Sequence, residues 1–105
     1  ISSGNQQKIV IAREIYNAPR VLIVGQPTRG VDVGAIEFIH KQLIALRDAG
    51  CAILLVSVEL EEIMGLSDRI MVMNDGMRVG TLEAIDADVN TLGLMMAGMT
   101  AGEAA

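Results

Sequence analysis

The chain has 105 residues, hydrophobic residues make up 51% of it, and 8 Lys and Arg face 13 Asp and Glu for a formal net charge of −5. That length admits one core of ordinary domain size, and that apolar content excludes intrinsic disorder. The acidic balance argues against nucleic acid or anionic lipid as the main partner, since both select a basic face.

The opening segment reads as a helix. Ser3-Gly4-Asn5-Gln6 fits a capping box, in which Ser and Gln side chains satisfy the first N–H groups of a helix. Ile9, Ala12, Ile15 and Tyr16 follow at helical spacing, and Asn17-Ala18-Pro19 stops the run because a residue before Pro avoids the α region. Val21–Val24 is then a continuous aliphatic run, the pattern of a parallel strand buried on both faces. A loop with Pro27 and Gly30 leads to a second helix, about 33–49, whose stripe is Ile36, Ile39, Leu43 and Leu46. Gly50 ends it as a C′ glycine, and Ala52–Val56 is the next buried strand, so one βαβ crossover is expected.

A short helix is expected over about 60–66. Strands over 69–73 and 77–82 flank Asn74-Asp75-Gly76, a hairpin turn signal. Asp88 is placed to cap a last helix, about 89–99, before a tail of Ala, Gly and Glu. Met95, Met96 and Met99 on that helix read as core packing. The predicted class is α/β, with parallel strands, a crossover helix and a terminal hairpin.

Cys51 is the single cysteine and stands in an apolar run, where a buried, inert thiol is expected. His40, the single histidine, reads as a surface or cap residue, and no metal site is expected. The apolar runs are far shorter than the roughly 18–20 residues of a membrane-spanning helix. No basic segment followed by an apolar one suggests a signal peptide. A start at Ile1-Ser2-Ser3-Gly4, together with so apolar a composition, reads as part of something larger. A reducing, cytosolic setting fits.

In an open parallel sheet, ligands bind beyond the carboxyl ends of the strands. Two loops leave such ends: Gly25-Gln26-Pro27-Thr28-Arg29-Gly30-Val31-Asp32 and Ser57-Val58-Glu59. The Ser-Ser-Gly-Asn opening adds a helix N-terminus that favours anions. Each feature alone is equally an ordinary cap or connection.

Their order and spacing carry more. Ile1-Ser2-Ser3-Gly4-Asn5-Gln6-Gln7-Lys8 closely resembles the signature motif of ABC transporter ATPases. Val21–Val24 followed by Gly25-Gln26-Pro27-Thr28 stands where that family has its Walker B strand ending in Asp-Glu-Pro-Thr. Arg29-Gly30-Val31-Asp32 matches the D-loop, and Val56-Ser57-Val58-Glu59 falls where the switch histidine follows the next strand. Leu66-Ser67-Asp68-Arg69-Ile70 resembles the lead into the closing hairpin. Thr28–Ala35 and Asn5–Lys8 look like the subclass with two fused nucleotide-binding domains that energises import of simple sugars and nucleosides. Gly34–His40 leans toward its nucleoside importers. The sequence holds no Gly-x-x-x-x-Gly-Lys-Ser/Thr. Residues 1–105 are therefore expected to be the C-terminal part of one nucleotide-binding domain, the second of the two, with the Walker A part upstream.

The resemblance implies a parent ATPase that uses ATP and Mg²⁺. It would work peripherally at the cytoplasmic face of the membrane, with a second nucleotide-binding domain, transmembrane permease subunits and, indirectly, a solute-binding protein. It implies that Ser2, Ser3, Gly4 and Asn5 contact ATP held by the other domain. Ser2 would donate through its hydroxyl and Gly4 through its backbone N–H, while Ser3 replaces a family glycine. Gln26 and Glu59 would line this domain's own nucleotide site, with Asp32 counted beside Gln26 among the ATP-binding residues; Arg29 and Asp32 would lie at the domain interface, and Asp32 would relay between sites.

Three positions depart from the pattern: Gly25 replaces the Asp that orients the Mg²⁺ shell, Gln26 the Glu that acts as base, and Glu59 the switch His. A Gln holds water but takes no proton near neutral pH, and a carboxylate at 59 repels a phosphate. No intact catalytic residue is left, and the isolated chain is expected to be inactive. The residues themselves allow another origin: Gly25 could relieve crowding at a strand end, and Glu59, with Glu61 and Glu62, could complement a helix dipole. The alternative for the whole is a non-catalytic regulatory or interaction domain that retains the fold.

Overall fold

The computed structural model describes residues 9, 12, 13, 16, 17 and 19–100. The chain divides into two compact units, Ile1–Ser57 and Val58–Ala105. It is an α/β chain with a parallel strand pair in the first unit and an antiparallel pair in the second.

In the first unit, Ile9, Ala12, Arg13, Tyr16 and Asn17 are helical, as their spacing predicts. Ile9, Ala12 and Tyr16 are nevertheless exposed. The expected capping box at Ser3–Gln6 lies outside the described residues. Strand β1, Val21–Gly25, pairs in parallel with β2, Ala52–Val56, from Val21 opposite Ala52 to Gly25 opposite Val56. Helix α1, Val33–Asp48, makes the crossover and buries Ala35, Ile39, Leu43 and Leu46 as one stripe. Its C-terminus closes as a Schellman motif. Cys51 N–H donates to the Leu46 carbonyl at 3.0 Å and Gly50 N–H to Arg47 at 3.0 Å. Gly50 stands at φ +102°, which glycine adopts without a Cβ penalty. Cys51 is a buried free thiol, and His40 is half-buried on α1.

Burial of both strands on two faces, expected from their unbroken aliphatic runs, is corrected by the structure. Residues alternate along each strand between exposed and half-buried, and Ile23 and Leu54 are 70% and 55% exposed. A βαβ unit has two sheet faces and one crossover helix, which covers only one of them.

The second unit begins with helix α2, Leu60–Leu66, and continues through β3, Arg69–Asn74, and β4, Met77–Glu83. The two strands pair antiparallel about a turn in which Asp75 and Gly76 both have positive φ, +50° and +74°. Two positive φ values define a type I′ turn, whose twist suits a hairpin. The ladder slips between Val72 and Met73, so that Val72 faces Gly80 and Met73 faces Arg78. A 3₁₀ turn, Ala84–Asp86, leads to helix α3, Val89–Met96.

Ile70, Val72, Leu92 and Met95 form the core here, with Leu60, Ile63, Met64, Val79 and Leu82 packed around it. The predicted helix over 89–99 stops three residues early. Gly98, at φ +101°, donates to the Met95 carbonyl, and Met99 N–H reaches Leu94, another Schellman closure. Of the three terminal methionines, Met95 is fully buried, Met99 is half-buried and Met96 is exposed. Among the described residues no helix is long and apolar enough to cross a membrane.

Candidate functional site

The two loops singled out in the sequence fall in different units: residues 25–32 in the first, and Glu59 at the start of the second. Ser2, Ser3, Gly4 and Asn5 lie outside the described residues.

The β1–α1 loop is built from two consecutive turns. Arg29 N–H donates to the Gln26 carbonyl and Val31 N–H to the Thr28 carbonyl, each at 3.2 Å. Pro27 occupies the second position of the first turn, where its fixed φ is pre-set. Gly30 occupies the third position of the other turn at φ +70°, the conformation a type II turn demands there. Pro27 and Thr28 are buried, whereas Arg29 and Gly30 are exposed. The fixed part of the loop is thus its base, and its tip presents a guanidinium.

Gln26 opens the loop in the left-handed region, at φ +48°. Its N–H donates to the Val56 carbonyl at 2.7 Å, which extends the parallel ladder one step beyond β1. No sequence signal announces this, because Gln is not a residue that favours positive φ. Gly25, by contrast, is ordinary strand backbone, and a Cβ built there meets nothing within 4 Å among the described residues. The end of β1 offers a glycine and an amide and no carboxylate, so these residues do not fit a Mg²⁺ ligand shell. Among the described residues no three His, Cys, Asp or Glu side chains gather as a metal site.

Asp32 closes the loop as the N-cap of α1, with its Oδ1 accepting from the Ala35 N–H at 3.0 Å. The sequence offered this signal, an Asp immediately before an apolar-periodic run, although its expected role was an interface relay. Glu59 is exposed and sits at the N-cap position of α2, where its side chain makes no capping hydrogen bond. Glu61 is exposed and Glu62 is buried in the turn that follows.

No protein-family model matches the chain. Among curated proteins it is 57% identical, over 104 residues and 99% of its length, to the guanosine import ATP-binding protein NupO of Bacillus subtilis. It is 54% identical over 98 residues, or 93% of its length, to the nucleoside import ATP-binding protein NupA of Lactococcus lactis. The ribose import ATP-binding protein RbsA of Streptococcus agalactiae is 52% identical over 88 residues, 84% of this chain. Relatives 46–57% identical over most of this chain are thus nucleoside, ribose and sugar import ATP-binding proteins, and the chain matches a fragment of an ABC sugar importer ATPase. It spans 20%, 19% and 18% of the length of those three relatives, about one fifth in each case.

Proposed function

We propose that the chain is the C-terminal part of the second nucleotide-binding domain of a fused two-domain ATPase that energises import of nucleosides or simple sugars. The observation that carries this is the 57% identity over 104 residues to a guanosine import ATP-binding protein. The fold reading is a P-loop NTPase of ABC type, supported by the parallel β1–α1–β2 unit and the hairpin that follows the motif at 66–70.

In this reading the parent protein binds ATP, hydrolyses it with Mg²⁺ and works peripherally at the cytoplasmic face of the membrane. It does so with permease subunits and, through them, a solute-binding protein. Ser2, Ser3, Gly4 and Asn5 complete the other domain's ATP site. Gly25, Gln26 and Glu59 mark a weak site in this domain: no carboxylate to orient a metal shell, an amide in place of the base, and an acid in place of the switch His. Where Gln26 stands, an amide orients water but does not accept its proton. The isolated chain neither binds ATP tightly nor turns it over, because the glycine-rich cradle and its Lys are not in the sequence.

ATPase measurements on the full-length protein test the division of labour. Ser2→Glu sets a negative charge against the other domain's γ-phosphate and is expected to lower turnover by about a hundredfold or more. Gln26→Ala removes only water-holding from the weak site and changes turnover by less than about threefold. Equal losses from the two substitutions contradict the reading.

A further inference from the structure

Helix α3 ends against the hairpin, and its last carbonyls are met from two sources. The final four C=O groups of an α-helix have no partner within it. In α3 these belong to Gly93, Leu94, Met95 and Met96. Ala97 N–H reaches the Gly93 and Leu94 carbonyls at 3.3 and 3.1 Å. Gly98 N–H reaches the Met95 carbonyl at 2.9 Å, and Met99 N–H the Leu94 carbonyl at 3.2 Å. The Met96 carbonyl accepts from outside the helix: Asn74 Nδ2 donates to it at 2.8 Å, across 22 residues of sequence. Asn74 is the last residue of β3 and directly precedes the Asp75-Gly76 turn. The other side of the same amide lies against Gly98, where a Cβ would stand 3.3 Å from Asn74 Oδ1. Glycine at 98 thus serves both the φ of +101° and the close approach of the amide.

From this geometry we infer that Asn74 is a latch: its amide holds the C-terminal turn of α3 on the hairpin, and its release lets that turn open while the core beneath stays folded. The core contacts of α3 rest on Leu92 and Met95, which pack with Ile70 and Val72. The bond to Met96 lies beyond them and is exposed, so its loss uncovers no apolar surface of its own. A hydrogen bond of this kind adds little to global stability, yet it decides local opening at a helix end. The latch uses a donor and not merely a shape. A carboxylate at position 74 would match the amide in outline but only accepts, and it would face both a carbonyl and the negative end of the helix.

Hydrogen exchange on the full-length protein, read at single amides, tests this with Asn74→Ala and Asn74→Asp, each rate taken relative to the parent at the same pH. At pH 7, Asn74→Ala is expected to speed exchange of the Ala97, Gly98 and Met99 amides about threefold to tenfold. The Thr91 and Leu92 amides, bonded to Asp88 at the other end of α3, are expected to keep their rates. Asn74→Asp is expected to exceed Asn74→Ala at the same three amides at pH 7. Below about pH 3.5 it is expected to fall back toward the parent, because a protonated carboxyl donates again. Unchanged rates at all three amides in Asn74→Ala overturn the inference. Acceleration that extends equally to Thr91 and Leu92 also overturns it, since Asn74 would then be an ordinary support of the whole unit. An Asn74→Asp variant that matches Asn74→Ala at both pH values would show that the donor does not hold the helix end, and the latch would fall with it.

Discussion

The Gln26 amide and the Val56 carbonyl, 2.7 Å apart, carry the β1–β2 ladder one step into the loop, and they do so with Gln26 at φ +48°. A non-glycine residue pays about 1–2 kcal/mol for the left-handed region, least for Asn and most for a β-branched side chain. The hydrogen bond offsets part of that cost and holds the backbone where it is.

A direct prediction follows for the backbone at this position. Gln26→Asn keeps the unfolding midpoint in urea close to that of the parent, because Asn tolerates positive φ. Gln26→Val is expected to destabilise by about 1–2 kcal/mol more than Asn does. Equal midpoints for Asn and Val would show that the left-handed conformation is not retained.

In the second unit, Gly80 makes room for Met95. A Cβ built on Gly80 meets the Met95 Cε at 2.8 Å, and Met95 is 0% exposed. The colliding methyl is the far end of a flexible side chain, which shifts at low cost, so Gly80→Ala is expected to cost only about 1 kcal/mol. In a Met95→Val background, which removes the colliding methyl, the same change costs about 1 kcal/mol less. A double-mutant cycle of urea midpoints measures this, and strict additivity rules out the collision.

Asp88 supplies a pH-dependent contribution. It caps α3, accepting from the Thr91 N–H at 2.7 Å and from the Thr91 hydroxyl at 3.0 Å. These bonds, the backbone one first, hold its carboxyl below the ordinary value of 3.8. A depressed folded pKa means stabilisation that is fully present above the unfolded value and is lost as pH falls through the folded one. The stability difference between the parent protein and Asp88→Ala is thus expected to be constant from about pH 7 to about pH 5 and to shrink below 3.8. A difference that grows on acidification contradicts the cap.

Much of the fold was legible because its signals are local. Asp75-Gly76 announced the turn, Gly50 the end of α1, and Asp88 the start of α3, and each is a residue whose backbone or side-chain chemistry decides its own neighbourhood. Burial was less legible. The runs at β1 and β2 read as buried on both faces because aliphatic sequence records what the chain is adapted to cover, whereas Ile23 and Leu54 are exposed in this chain. In the loop, Gly30 signalled its turn, but the left-handed Gln26 had no signal. Its conformation is imposed by the ladder bond to Val56, a partner 30 residues away in sequence that no local pattern encodes.

On the proposed reading, this domain's own ATP site is weak and is expected to be restorable only by several changes together. A Cβ at Gly25 meets nothing within 4 Å among the described residues and requires no unusual φ, so Gly25→Asp introduces no clash at its Cβ. Gln26→Glu is nearly isosteric and, on that reading, supplies a base, yet by itself it would change neither the missing carboxylate at position 25 nor the acid at position 59. Groups that act as a unit are strongly non-additive in rate. Gln26→Glu alone is therefore expected to change turnover by less than about threefold, whereas Gly25→Asp, Gln26→Glu and Glu59→His combined raise it by about tenfold or more. The assay uses the full-length protein with the other domain's ATP site disabled by mutation, so that only this site is counted. Full turnover from Gln26→Glu alone in that background would mean that Gly25 and Glu59 place no limit on the chemistry, and the account of this site as jointly degenerate would fall.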